Sequence, residues 1–113
     1  MQTLDESIIS DIQKLIDVKE DKIAELEEES FSQILLILKE TNSKYRPLFS
    51  EIKSKVANEE DANKEYNILL KVKKASINTK LKEIVNHRDK QIKELKKEIK
   101  VLNKEIKLLN LLK

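Results

Sequence analysis

Apolar residues recur at alternating spacings of three and four along the last quarter of the chain. The repeat consists of Ile92, Leu95, Ile99, Leu102, Ile106 and Leu109. This spacing puts isoleucine at every a position and leucine at every d position of a heptad, so an apolar seam follows one side of a helix. Because such a seam is stable only against another helix, the pattern predicts a coiled coil over about residues 81–112. Leu81 and Val85 extend the seam backwards, and the choice of isoleucine at a and leucine at d favours a parallel pair.

A second stripe with the same spacing begins near the first residues of the chain. Its members are Ile9, Ile12, Ile16, Ile23 and Leu26, with Ile8 and Leu15 widening it on one side. Lys19 and Ser30 interrupt the stripe at core-type positions. The Lys19 stem can lie along the seam while its ammonium group reaches water. The stripe predicts an amphipathic helix that begins at about residue 4.

The segment 31–38 has a different pattern, because residues 34–38 are all apolar. A helix that is apolar around its whole circumference is usually buried on more than one side. We therefore expect this segment to contact a local helical core or another subunit. The residues predicted to form the contact are Phe31, Ile34, Leu35 and Leu38.

Breaker residues predict where the helices end. The cluster at residues 41–43 is followed by Pro47, which lacks an N–H group and disfavours helical geometry at Arg46. A helix end is therefore predicted at residues 43–46, with Pro47 in the first turn of the next helix. Asn58 precedes three acidic residues and resembles a helix N-cap, so a further break is possible at 57–60.

These signals together predict an all-α fold of two long helices, at about 4–42 and 47–112, with a C-terminal coiled coil. The predicted organisation is an acidic N-terminal helix (1–42), a turn (43–46) and a long helix (47–113) that ends in the basic coiled coil. Two arrangements stay open. The first helix can fold back so that residues 34–38 face 52–55, although this brings the acidic residues 25–29 near residues 60–64. Alternatively, each helix packs on other subunits.

Composition narrows the possible functions. The chain of 113 residues has no glycine and no cysteine, and only one histidine, His87. Without glycine there is no phosphate-binding loop or dinucleotide-binding turn, and without cysteine there is no thiolate zinc site. Regular apolar spacing favours helices over disorder, although charged residues make up 39% of the chain. We therefore expect a protein that is not an enzyme and binds no cofactor or metal. No signal peptide or membrane span is visible, which predicts a soluble intracellular protein.

The charge changes sign along the chain. Residues 1–40 carry 4 basic and 11 acidic groups, net −7, whereas residues 80–113 carry 11 basic and 5 acidic groups, net +6. This gradient favours antiparallel or head-to-tail association, or two different partners. Lysines outside the C-terminal seam are candidate contacts to a polyanion, such as nucleic acid or an acidic filament: Lys93, Lys97, Lys100, Lys104 and Lys107.

The sequence thus favours a coiled-coil structural or adaptor subunit that assembles with other helical chains, as a homo- or hetero-oligomer. The expected partner interface combines the segment 31–38 with the seam residues from Leu81 to Leu109. Polyanion binding by the C-terminal lysines is the alternative function.

Overall fold

Residues 4–112 are described by the computed structural model, and they form two α-helices. Helix α1 comprises Leu4–Lys55 and helix α2 comprises Glu59–Leu111. No strand occurs among these residues, so the predicted all-α fold of two long helices is confirmed. Acidic residues occupy the first turn of both helices, where their negative charge interacts favourably with the positive end of the helix dipole.

The break between the helices lies at residues 56–58, and Asn58 is its key residue. Its side-chain Oδ1 accepts a hydrogen bond from the backbone N–H of Glu60 at 2.9 Å. Its backbone carbonyl accepts the N–H of Ala62 at 2.9 Å, which is the first intrahelical bond of α2. Asn58 is therefore an N-cap that satisfies one of the unpaired donors at a helix start. This agrees with the break that the sequence placed at 57–60.

The helix end predicted at residues 43–46 is wrong, because α1 continues through them and contains Pro47 in its interior. Pro47 deprives the Ser43 carbonyl of its usual intrahelical donor. Both residues are exposed, so water can reach that carbonyl. Tyr45 is buried and Phe49 is half-buried on either side of Pro47. Burial of these aromatic side chains offsets the cost of the proline and keeps the helix continuous.

The chain divides into two compact units. The turn unit, residues 30–86, contains the reversal at 56–58. In it the ring of Phe49 contacts the ring of Tyr66, with centroids 4.6 Å apart and an interplanar angle of 47°. The Lys73 ammonium lies 5.9 Å from the centroid of Phe49. These contacts show that α2 packs back along α1 from the turn.

The terminal unit combines residues 4–29 of α1 with residues 87–112 of α2. Its helices are joined by an ion pair in which Lys19 Nζ lies 2.8 Å from Glu98 Oε2. Ile12, Ile16 and Ile92 are its buried apolar residues. The two helices are antiparallel here. On both sides of the ion pair, the apolar residues of α1 and of α2 recur at the same alternating spacings of three and four. The two seams predicted from the sequence therefore cover each other.

The structure contains the predicted fold-back but in another register. Counting back from the Phe49–Tyr66 contact places Ile34 near Leu81, and not opposite residues 52–55. Counting from the Lys19–Glu98 pair places the acidic residues 25–29 at the level of residues 88–92, which include Arg88 and Lys90. The observed register thus avoids the like-charge contact of the shorter hairpin. The pairing is antiparallel, so the parallel pair favoured by the sequence is not the one observed.

Candidate interaction surfaces

The C-terminal seam, predicted as a partner interface, faces α1 of the same chain. Ile92 is buried, and the other seam residues are half-buried: Leu81, Val85, Leu95, Ile99, Leu102, Ile106 and Leu109. The opposing stripe of α1 is buried or half-buried as well, including Lys19 and Ser30 at its polar positions. Both stripes thus lose most of their exposure within the chain. Contact between the seam and another chain remains a prediction.

Lys19 shows how a charged residue fits a core position. Its side chain is 28% exposed, and its ammonium group lies 2.8 Å from Glu98 Oε2. Pairing at this exposure contributes a few tenths of a kcal/mol up to about 1 kcal/mol. Lys19 is therefore compatible with its seam position, and its ion pair helps to fix the register of α1 against α2.

The apolar segment 31–38 is divided by the fold into two sides. Ile34 and Leu38 are half-buried and face α2, whereas Phe31 and Leu35 are exposed, Phe31 by 60%. Leu36 is also exposed. A pair of helices can cover only one side of this segment. Phe31 and Leu35, which the sequence predicts to contact a partner, are therefore accessible to one.

The five predicted polyanion contacts all lie on the surface of α2. Lys93, Lys97, Lys100, Lys104 and Lys107 are exposed. Together with Lys96 they line two shallow grooves beside the seam, one next to Ile92 and the other next to Ile99. The structure therefore gathers these lysines along one part of the helix surface, with one seam isoleucine among the residues that line each groove.

A larger groove, of about 620 Å³, lies between α1 and α2 in the turn unit. Phe49 and Tyr66 form part of its wall, and its cationic lining residues are Arg46, Lys53 and Lys73. The sequence did not predict this groove, because its residues come together only when α2 folds back at residues 56–58. The two rings contact each other across it, so Tyr66 is only partly accessible for another contact.

Further large apolar side chains remain exposed outside the seams. In the terminal unit they include Leu4, Ile8, Leu15, Val18, Val101 and Leu108. In the turn unit they include Leu48, Ile68 and Val72, which line a smaller groove of about 330 Å³. The widening of the first stripe by Ile8 and Leu15 was the sequence signal for the terminal set. That signal did not show which apolar residues of the second helix would stay exposed.

Within residues 4–112, no group of three or more histidine or carboxylate side chains is arranged to hold a metal ion. His87, the single histidine, is exposed. Neither α1 nor α2 has, in its described part, a stretch that is both long enough and apolar enough to cross a membrane. Comparison with protein-family models, with curated proteins and with solved structures gives no match.

Proposed function

We propose that the protein is a non-enzymatic, intracellular structural or adaptor subunit that assembles with other helical chains in a multi-subunit complex. The observation that carries this proposal is the apolar surface left after α1 and α2 have packed. Among the described residues, fifteen large apolar side chains are exposed and only four apolar side chains are buried. Two paired helices form a single layer, so each helix can bury just one of its sides.

The exposed apolar residues are not scattered evenly. They form sets along the helices, such as Phe31 with Leu35 and Ile68 with Val72, at the spacings that place side chains on one helix face. Extended apolar surface of this kind is typical of protein–protein contact sites. Complete burial of one leucine or isoleucine is worth roughly 1.5–3 kcal/mol. A few such residues at a helix–helix contact are therefore sufficient to drive association.

Light scattering of the purified chain over a concentration series, with circular dichroism alongside, tests the proposal. A strongly helical, discrete oligomer supports assembly between identical chains. A weakly helical monomer that gains helicity when mixed with a co-purifying chain supports assembly with a different subunit. A strongly helical monomer at every concentration, with cooperative unfolding, would contradict the proposal, because the exposed apolar surface would then need no partner.

Binding of a polyanion is the second candidate function. It is supported by the exposed lysines at 93–107, which line the grooves beside Ile92 and Ile99. Lysine ammonium groups spaced along a helix can neutralise successive phosphates of a nucleic acid. Glu94, Glu98 and Glu105 lie on the same helix and weaken the positive potential. Polyanion binding should weaken steeply as salt concentration rises, whereas assembly through apolar surfaces should not, so the salt dependence of binding distinguishes the two functions.

A further inference from the structure

The larger groove between α1 and α2 in the turn unit, which we name the turn groove, has a purely cationic set of charged residues. Its volume is about 620 Å³, within the range of about 300–1,000 Å³ that is typical of small-molecule sites. Arg46, Lys53 and Lys73 line it, and no carboxylate is among the described residues that do so. Glu51, which is close in sequence, pairs instead with Lys55 at 3.8 Å. The turn groove therefore has the charge of an anion site.

The cations of the turn groove have no anionic partner in the described part of the chain. None of the three forms an ion pair with a carboxylate of residues 4–112. Lys73 is half-buried, and its ammonium group lies 5.9 Å from the ring centroid of Phe49. Contact with the ring face offsets part of the cost of removing this charge from water. A bound anion would supply the partner that the fold does not.

The three cations surround the contact between Phe49 and Tyr66. Arg46 precedes Phe49 by three residues and Lys53 follows it by four, so both lie one turn from this ring on the same side of α1. Lys73 reaches the same ring from α2. Tyr66 is 46% exposed, so part of its ring is free for a further contact. The turn groove thus places positive charge beside an accessible aromatic surface.

This combination fits a phosphate group attached to an aromatic body. A phosphate monoester carries about 1.5 to 2 negative charges at pH 7, so it balances more of the three positive charges than a carboxylate does. A guanidinium group can bind two phosphate oxygens at once, and ammonium groups add point charges. An aromatic body can pack on the free part of Tyr66 and on Leu70, which also lines the groove.

We propose that the turn groove binds a small aromatic phosphate monoester. The phosphate lies among Arg46, Lys53 and Lys73, and the aromatic body packs on Tyr66. This inference goes beyond assembly and does not depend on it, because every described lining residue belongs to the turn unit. The site also differs from the lysines at 93–107, since residues 4–29 and 87–112 of the terminal unit include no phenylalanine, tyrosine or tryptophan.

A nuclear magnetic resonance titration of the full chain with three probes tests the chemistry of the site. The probes are phenyl phosphate, inorganic phosphate and phenol. We expect phenyl phosphate to shift the ring signals of Tyr66 saturably, and to bind about tenfold more tightly than either of the other probes, because only it uses both the cations and the ring. Tyr45 is 7% exposed and serves as the internal reference, so its ring signals should shift less.

Two results of this titration would overturn the proposal. Equal affinities for phenyl phosphate and inorganic phosphate would show that the aromatic surface takes no part in binding. The absence of saturable binding of phenyl phosphate would show that the unpaired cations do not form a site.

Matched lysine variants test the location of the phosphate. Lys53→Gln removes a charge that lines the turn groove, whereas Lys71→Gln removes one from an exposed lysine of the same unit that is not among the lining residues. We expect Lys53→Gln to raise the dissociation constant of phenyl phosphate about tenfold, and Lys71→Gln to leave it within about twofold. Lys73→Gln should act as Lys53→Gln does. Because Lys53 is exposed, its variant keeps the test decisive if Lys73→Gln impairs folding, which circular dichroism would reveal.

A second pair of substitutions separates the turn groove from the other lysine-rich surface. Lys97→Gln together with Lys100→Gln, in the terminal unit, should leave the dissociation constant of phenyl phosphate within about twofold, because these lysines lie outside the groove. Weaker binding of phenyl phosphate in this double variant, with unchanged binding in Lys53→Gln, would place the anion on the terminal unit and overturn the assignment.

Discussion

Thr41 is a buried residue whose hydroxyl group lacks a hydrogen-bond partner among the described residues. Its exposure is 4%, and Oγ1 contacts no donor or acceptor there. A threonine in a helix usually reduces this cost by donating to the carbonyl one turn earlier, as exposed Thr79 does to Ala75 at 2.9 Å. Burial of an unpaired hydroxyl costs about 1–3 kcal/mol. Thr41 is therefore a site where the sequence is less than optimal for the fold.

Replacing Thr41 by valine should raise the free energy of unfolding by about 1–3 kcal/mol, because valine keeps the shape and removes the hydroxyl group. Chemical denaturation followed by circular dichroism measures the change. Thr79→Val is the matched control, and we expect it to alter stability by less than about 0.5 kcal/mol at that exposed site. A loss of stability in Thr41→Val would show that the hydroxyl has a favourable contact.

At the scale of elements, a local signal decides where α2 begins, whereas tertiary packing decides where α1 ends. Asn58 caps the start of α2, and acidic residues follow it in the first turn, a local pattern that the sequence reveals directly. Pro47 carries an equally strong local signal, yet α1 passes through it. Flanking aromatic side chains that pack towards α2 make the difference, and they cannot be weighed before the partner helix is known.

Pro47→Ala should stabilise the chain by about 1–3 kcal/mol, because alanine restores an N–H donor inside α1 and removes the clash with the preceding turn. Thermal and denaturant unfolding give the value. Ser32→Ala, at another exposed position of α1, controls for helix propensity and should add only about 0.5 kcal/mol or less. An unchanged or lower stability in Pro47→Ala would instead fit a helix that begins at residue 47.

For the whole molecule, the question is whether apolar burial or charge governs binding. The exposed apolar residues lie on both units, whereas the lysines at 93–107 are concentrated on α2 in the terminal unit. Apolar association changes little with ionic strength. Binding to phosphates releases counterions and weakens steeply as salt rises.

We expect association between chains to persist at about 0.5 M salt, while any binding to duplex DNA falls by several orders of magnitude between about 0.05 and 0.2 M. Light scattering and fluorescence anisotropy measure the two processes. The pair Lys97→Gln and Lys100→Gln should lower DNA affinity, whereas Lys71→Gln and Lys82→Gln, in the turn unit, should not. DNA binding that is insensitive to both salt and the first pair would exclude these lysines as a phosphate-contacting surface.

The sequence by itself determined that the chain is helical, and it located both seams, from Ile9 to Leu26 and from Ile92 to Leu109. Heptad spacing is a local property, and the missing glycine removes the common alternatives to long helices. The cap at Asn58 could be predicted for the same reason.

Only the tertiary structure decided what covers each seam. A seam specifies that a helix must pack against it, but an apolar stripe of the same chain serves as well as one from another chain. The position of the reversal, 56–58 and not 43–46, settles this choice, because it sets the acidic start of α1 beside the basic end of α2. Leu15 and Val101 stay exposed after this pairing, and no local pattern could reveal this, because exposure depends on which side of each helix the other helix covers.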